Sequence, residues 1–234
     1  MPVISQPSPV RTACPDGAAT AGLPAHNVLE NRWLVDADPA SNPGIALHGN
    51  PIYGGRTLAV FQTGLTALAL GGVRAAIDEY EELLRTRKTQ RPPIVARYLD
   101  PDYQRWLGTA IGRVAAAEAA VIGLLKRHTE LCRRAMETGV PYAREDDLRL
   151  NVISREALTL AWTAMHDDIF RTAGTSAART GERLERIFRD VAMDWGHFGN
   201  IVRDWSAGEL AREHLGIVTG PALRPDRVHT AARP

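Results

Sequence analysis

The sequence predicts an all-α protein, an antiparallel four-helix bundle preceded by an extended N-terminal segment. Apolar residues recur at helical spacing over four stretches of roughly 25–30 residues, which is the length of a bundle helix. Proline and glycine residues separate these stretches by short loops. The chain is 44% hydrophobic over 234 residues, which is enough to bury a sizeable core.

Four regions follow one another along the chain. Residues 1–25 are rich in proline and poor in core-forming side chains, which predicts a disordered or loosely packed tail. Residues 26–54 combine spaced apolar residues with Asp-Pro and Asn-Pro pairs, typical of an extended segment and a loop. Residues 55–217 are predicted to form the bundle, and residues 218–234, with three prolines, a mobile tail.

The predicted helices begin and end at capping residues and helix breakers. The second begins at Asp100-Pro101, a capping residue followed by proline in the first turn, and ends at Gly139. The predicted helices cover residues 56–86, 101–138, 144–172 and 181–204, with an extension of the last to residue 214 left open.

The first helix is unusually apolar. Residues 57–73 carry no charge, but they include several polar residues and glycines and fall short of a span of about 20 apolar residues, so a core helix is predicted rather than a membrane helix. Between Leu58 and Leu70 apolar side chains occupy nearly all faces, more than one bundle core can cover. We therefore expect a homodimer or homotetramer with this helix partly in the interface.

Charge and cysteine content exclude several function classes. A net charge of +1 gives no general attraction to nucleic acid or to an anionic membrane. The chain has two cysteines, Cys14 in the predicted tail and Cys132 in a helix, which favours a reducing, cytoplasmic compartment. His128 and Cys132 lie one turn apart without further ligands in the pattern, so no metal site is predicted.

One stretch, residues 173–200, carries the candidate chemistry. A loop with Gly174 and Ser176 permits close approach of the backbone to a ligand and offers groups that hold phosphate or ribose oxygens. The helix after it places Arg189 one turn from Glu185, and spacing alone favours an ordinary salt-bridged helix. Eight residues after Arg189 comes His197.

A second basic cluster lies where the first helix ends, and includes Arg87 and Arg91. Cations at a helix C-terminus offset the helix dipole, which is the structural interpretation. The functional interpretation is a clamp on the phosphate of a ligand bound to a neighbouring subunit, and the residues alone leave both open.

The small-residue loop, the sequence Leu-x-Arg-x-x-Arg-Asp at residues 184–190 and the histidine eight residues later resemble the last helices of two-component flavin-dependent monooxygenases. These include the 4-hydroxyphenylacetate 3-hydroxylase and dibenzothiophene monooxygenase types, which share the acyl-CoA dehydrogenase fold. Residues 48–84 resemble the first C-terminal helix of that family, including the element at residues 70–75. The resemblance covers about residues 26–217 and implies a bundle like the acyl-CoA dehydrogenase C-terminal domain.

The resemblance implies a role for each candidate residue. His197 matches the family's catalytic histidine, which acts on an aromatic or related substrate beside reduced FMN or FAD supplied by a separate flavin reductase. Asn200 would face the same substrate pocket. Many acyl-CoA dehydrogenases place their catalytic glutamate near Phe198, a residue that cannot remove a proton, which favours oxygen chemistry over dehydrogenation. The residues expected to bind the cofactor are Gly174, Ser176, Arg186, Arg189, Arg87 and Arg91.

Family members also carry an N-terminal helical domain and a middle β-domain, which this sequence does not show. The chain would then be a fragment, a degenerate relative or one half of a split enzyme completed by a partner chain, and the resemblance also implies the tetramers and shared flavin of the family. Two further hypotheses stay open. One is a non-catalytic bundle that oligomerises or regulates a full-length relative, and a weaker one is an acyl-CoA dehydrogenase with another base.

Overall fold

The structure is a computed structural model that describes residues 47–56 and 58–217, apart from the side chains of residues 201–203. The predicted tails, Cys14 and most of the predicted extended segment lie outside the described residues. Of that segment, Pro51–Gly54 is described and forms a 3-10 turn. The backbone amide of Arg56 then donates to the Tyr142 hydroxyl at 2.9 Å, which fixes the start of the bundle.

The all-α bundle is confirmed. Its helices are α1 (Leu58–Thr86), α2 (Pro101–Thr138), α3 (Arg144–Thr163), α4 (Arg183–Trp195) and α5 (Phe198–His214). Within the described ranges the only strand-like pairing is an isolated bridge between Lys88 and Ala96.

The caps that the sequence indicates set the bounds of α2. The Asp100 carboxylate accepts hydrogen bonds from the backbone amides of Asp102 and Tyr103 at 2.9 and 3.3 Å, which satisfies two of the free donors at the helix start. Gly139 ends the helix in the left-handed conformation, with φ +68°.

The third predicted helix, 144–172, follows the right path but is not α-helical throughout. After α3 the backbone continues as a π-helical segment, Ala164–Phe170, and a short turn, Arg171–Ala173. A π-helical turn holds more residues than an α-helical turn, which changes the direction in which side chains point. In this stretch Asp168 contacts Arg113 of α2, and Thr172 contacts Tyr80 of α1. Hydrophobic spacing does not resolve one extra residue in a helical turn, which is why the sequence predicts a continuous helix.

The fourth predicted helix, 181–204, is wrong as a single element. The chain forms α4, breaks at Gly196 and His197, and resumes as α5 to His214. The Asn200 amide donates to the carbonyl of Asp194 at 2.9 Å, while the His197 imidazole accepts from the amide of Gly199 at 3.0 Å. These side chains satisfy backbone groups at both helix ends, so two short helices replace one long helix.

Helices α1, α2 and α3 all pack against one another, α4 packs mainly against α1, and α5 packs against α3. By length and composition α1 and α2 could each cross a membrane, with 39% and 28% of their most apolar windows buried inside the bundle. Length and composition alone do not separate a bundle helix from a membrane span. The main core runs along the inner faces of α1, α2, the α3–π stretch and α4.

Candidate functional site

A cavity of about 400 Å³ lies between α1 and α4. Its walls come from Leu68, Ala69 and Gly72 on α1, from Ile187, Asp190, Val191, Met193 and Asp194 on α4, and from His197 in the turn. Leu68 and Met193 are exposed, so the cavity opens to the surface. Its size and mostly apolar walls suit a small organic ligand.

The closeness of α1 and α4 depends on Gly72. A Cβ atom at this position would lie 2.7 Å from the Val191 Cγ2 atom, closer than carbon atoms approach in proteins. Gly72 therefore lets the Val191 side chain of α4 pack directly against the α1 backbone beside the cavity.

His197 lies at the junction of α4 and α5 and lines the cavity. Its Nδ1 atom accepts the Gly199 backbone amide, so the neutral imidazole carries its proton on Nε2. A Cβ atom at Gly199 would lie 3.1 Å from that Nδ1 atom, so the tight turn leaves little room for a larger residue. The site thus offers one positioned N–H donor from a ring fixed by the backbone.

Two acidic side chains line the same cavity. Asp190 and Asp194 lie four residues apart on α4 and so share one helix face. No lysine or arginine is among the described residues that line the cavity. Its polar groups are therefore two carboxylates and one imidazole.

The residues on either side of His197 in the sequence do not face the cavity. Trp195 stacks on Trp162 with ring centroids 5.4 Å apart and an interplanar angle of 7°. Phe198 is exposed, and neither ring lines the cavity. Asn200, predicted to face the substrate pocket, directs its amide to the α4 carbonyls of Asp194 and Trp195 and does not line the cavity. In this structure Asn200 fixes the turn that carries His197.

A second group of candidate residues meets at the C-terminal end of α1. Arg87 donates to the Ser176 hydroxyl across 89 residues of sequence. Next to Ser176, Gly174 has φ +92°, a conformation that L side chains rarely adopt. The structure thus brings together three predicted cofactor residues, Arg87, Gly174 and Ser176.

Arg97 completes this basic group, and the sequence did not indicate it. Its side chain is only 4% exposed, and it donates to the carbonyls of Lys88 and Ala173 at 3.2 and 2.8 Å. A Cβ atom on Gly174 would lie 3.5 Å from its Nη2 atom. Within the described part of the chain Arg97 has no acidic partner. Its buried positive charge is stabilised by two backbone carbonyls and by the ring of Tyr103.

The other predicted cofactor residues do not join this group. Arg186 and Arg91 are exposed. Arg189 is exposed and lies 3.8 Å from Glu185, the pairing expected from their spacing. These contacts match a solvated helix surface.

The candidate groups form two sites, not one. The cavity lies beside Gly72, and the basic group lies just beyond Thr86. The intervening 14 residues of α1 rise about 21 Å.

The profile of the acyl-CoA dehydrogenase C-terminal domain matches residues 63–200, more than half of the chain. The chain belongs to this family. The matched range extends from α1 to the His197 turn, so it includes both the cavity and the basic group of this acyl-CoA dehydrogenase C-terminal domain. No curated protein matches the chain.

Solved structures show the same fold as this acyl-CoA dehydrogenase C-terminal domain. XiaF from Streptomyces sp., in complex with FADH2 and glycerol, has a TM-score of 0.67 and 18% identity, over 87% of this chain and 49% of XiaF. The 3-HSA hydroxylase from Rhodococcus sp. RHA1 has a TM-score of 0.66 and 20% identity, over 79% of this chain and 46% of its own. The HsaA monooxygenase from M.tuberculosis has a TM-score of 0.65 and 18% identity, over 84% and 48%. The chain therefore spans just under half the length of these proteins.

Proposed function

We propose that the chain is the bundle component of a flavin-dependent monooxygenase, which oxygenates a small aromatic or related molecule with reduced flavin and O₂. The observation that carries the proposal is the cavity between α1 and α4 with His197 fixed at its wall. The names of the similar structures, a hydroxylase, a monooxygenase and a protein holding FADH2, support the same chemistry.

In this proposal His197 is the catalytic residue. Its Nε2–H group donates a hydrogen bond to the oxygen of a hydroxylated substrate, because Nδ1 is already engaged by the Gly199 amide. A fixed donor orients the substrate ring and stabilises negative charge that develops on its oxygen. The apolar wall residues, Leu68 and Ile187 among them, would contact the substrate ring.

The basic group fits the phosphate of a flavin. Arg87 is half-buried and donates to a neutral hydroxyl, so its charge remains for an anion, and the buried Arg97 adds positive charge beside it. Ser176 adds a hydroxyl. When bound, the flavin would supply the electrons that reduce O₂; whether it is FMN or FAD, it would come reduced from a separate reductase.

The separation of the two sites favours assembly from several copies. A flavin ring beside the cavity of one chain would have its phosphate held by Arg87 of a second chain. We therefore propose a homodimer or homotetramer, with a partner chain completing the site where required, in the cytoplasm. The buried thiol of Cys132 is compatible with that compartment.

The activity test uses His197→Asn beside His197→Ala. Asparagine is a good N-cap and retains the α5 start, whereas alanine removes both the imidazole and the cap, at a cost of about 0.5–2 kcal/mol. Supplied with reduced flavin, O₂ and phenolic substrates, both variants should lose product formation by roughly 10²–10⁴-fold.

The control is His214→Ala, which removes an exposed histidine at the end of α5 and should leave turnover unchanged. Full activity in His197→Asn would contradict the catalytic role. A chain that forms no product and retains no flavin would leave the non-catalytic bundle as the better hypothesis.

A further inference from the structure

The sulfur-containing side chains of the described residues differ widely in their access to solvent. Met165 is fully buried in the main core, and Cys132 is buried as well. Met136 on α2 is 37% exposed, whereas Met193 on α4 is 74% exposed. Because an exposed thioether is oxidised more readily than a buried one, Met193 is the described sulfur that a dissolved oxidant reaches most easily.

Met193 also lines the α1–α4 cavity. Met136, the other exposed methionine among the described residues, lies on α2, which supplies no residue to this cavity. The wall residues around Met193 are mostly apolar, with Leu68 and Ile187 among them. A change in the polarity of the Met193 side chain therefore changes the surface that a ligand in the cavity contacts.

Hydrogen peroxide makes such a change in polarity. The thioether sulfur forms a bond to one peroxide oxygen, the O–O bond breaks, and the second oxygen leaves as water, so sulfur loses the two electrons that the peroxide gains. The sulfoxide is polar and accepts hydrogen bonds. In the cavity its oxygen would lose water to an incoming apolar ring, and it would compete with a ligand oxygen for the His197 Nε2–H group.

We propose that Met193 is an oxidation site that controls ligand binding in the α1–α4 cavity. Its conversion to the sulfoxide by hydrogen peroxide weakens the binding of an uncharged ring compound, and enzymatic reduction of the sulfoxide restores that binding. The source of the oxidant rests on the proposed function, since a reduced flavin that passes two electrons and two protons to O₂ without a substrate yields hydrogen peroxide. The modification itself rests on the position and exposure of Met193.

Peptide mass spectrometry tests the modification after mild treatment of the purified chain with hydrogen peroxide. Met193 should gain one oxygen atom at least about tenfold faster than Met165, with Met136 as the exposed reference. Cys132 should stay a thiol, because burial raises its pKa to about 11 and leaves little thiolate to react. Oxidation of Met193 no faster than that of Met165 would overturn the site.

Isothermal titration calorimetry with 2-naphthol, an uncharged ring compound with a hydroxyl group, tests the effect on binding. The untreated parent chain should bind this probe saturably, and the oxidised chain should bind it about tenfold more weakly. Treatment of the oxidised chain with methionine sulfoxide reductases and dithiothreitol should restore the affinity. Circular dichroism spectra of the treated and untreated chains should be the same.

Three variants assign the loss of affinity to one sulfur atom. Met193→Leu has an apolar side chain of similar volume that peroxide does not oxidise, so its affinity for 2-naphthol should be the same before and after treatment. Met193→Gln places a polar group at this position and should bind the probe weakly without peroxide. Met136→Leu removes the other exposed thioether and should lose affinity on treatment as the parent chain does.

Control of binding by Met193 would be overturned by three results: no binding of 2-naphthol to the untreated parent chain, an unchanged affinity after Met193 is oxidised, or an equal loss of affinity in treated Met193→Leu. A chain that shows the predicted loss and recovery of binding but never forms an oxygenated product would retain this inference and lose the proposed function. An active chain whose 2-naphthol affinity survives oxidation of Met193 would do the reverse.

Discussion

At the scale of single residues, His128 shows how burial sets the behaviour of a titratable group. It lies on α2 and is buried, with Nε2 3.3 Å from the Cys132 Sγ atom and Nδ1 3.4 Å from the Tyr142 hydroxyl. Burial lowers the pKa of His128 below its ordinary value of 6.5. It also raises the pKa of Cys132 to about 11, so the pair is a neutral thiol and a neutral imidazole rather than an activated nucleophile.

The lowered pKa of His128 predicts loss of stability in mild acid. Because the unfolded chain binds the proton more tightly than the folded chain, stability is full above pH 6.5. It falls as the pH drops from about 6.5 through the lowered pKa of the folded state. Urea unfolding of the parent and His128→Gln at pH 7.5 and 5.5 should show a smaller decrease for the variant.

Comparing the parent chain with His128→Gln separates the contribution of His128 to the pH dependence of stability from that of Asp147. Burial raises the pKa of that carboxyl, so its protonation favours the folded state as the pH falls, the opposite direction. His214→Gln, which removes an exposed histidine, serves as the control and should keep the parental pH dependence. The same pH dependence in all three proteins would show that His128 does not titrate on unfolding.

At the scale of helices, the contact of α1 with α4 makes one glycine necessary and another replaceable. A Cβ atom at Gly64 would meet nothing within 4 Å, whereas one at Gly72 would lie 2.7 Å from Val191. Gly64→Ala should therefore stabilise the chain by roughly 0.5–1 kcal/mol through helix propensity. Gly72→Ala should be less stable than Gly64→Ala by about 1–3 kcal/mol, because Val191 must move.

Thermal or urea unfolding of these two variants provides the measurement, since each makes the same chemical change in one helix. Equal stabilities would mean that α1 and α4 adjust freely at this contact.

The sequence predicted the starts and ends of the first helices to within about two residues because their caps are local. Asp100-Pro101 and Gly139 satisfy backbone groups by themselves, in any fold. The break at Gly196-His197 was missed because histidine is a rare cap and the second bond comes from Asn200, further along the chain. That misplaced helix also explains why Asn200 was predicted in the pocket.

At the scale of the whole molecule, the candidate residues could be chosen from the sequence but not sorted into sites. Arg87 and Ser176 are 89 residues apart, and only the antiparallel packing of the bundle brings them together. Arg97 belongs to no motif, and its burial beside Ala173 depends on the loop after α1. Residues whose role depends on tertiary contacts cannot be identified from a local sequence pattern.

The exposed apolar side chains on the outer face of α1 predict that copies of the chain associate with one another. Phe61 and Leu68 are 63% and 72% exposed and lie two turns apart on one face. Light scattering at micromolar concentration should give a dimer or tetramer for the parent chain and a smaller species for Phe61→Arg. Ile122→Arg, which alters an exposed apolar residue on α2, is the matched control and should keep the parental mass. A parent chain that is monomeric at this concentration would contradict the prediction.

The central claim, that this bundle serves a flavin, is tested most directly by titrating the purified chain with FMN and with FAD, oxidised and anaerobically reduced. The account predicts saturable binding of at least one flavin. It also predicts that Arg87→Gln weakens this binding by about tenfold or more while leaving folding intact, because a charge-assisted contact with phosphate is lost. Lys126→Gln, on the exposed surface of α2, should bind like the parent. No saturable binding of either flavin, or an unchanged affinity in Arg87→Gln, would contradict the account.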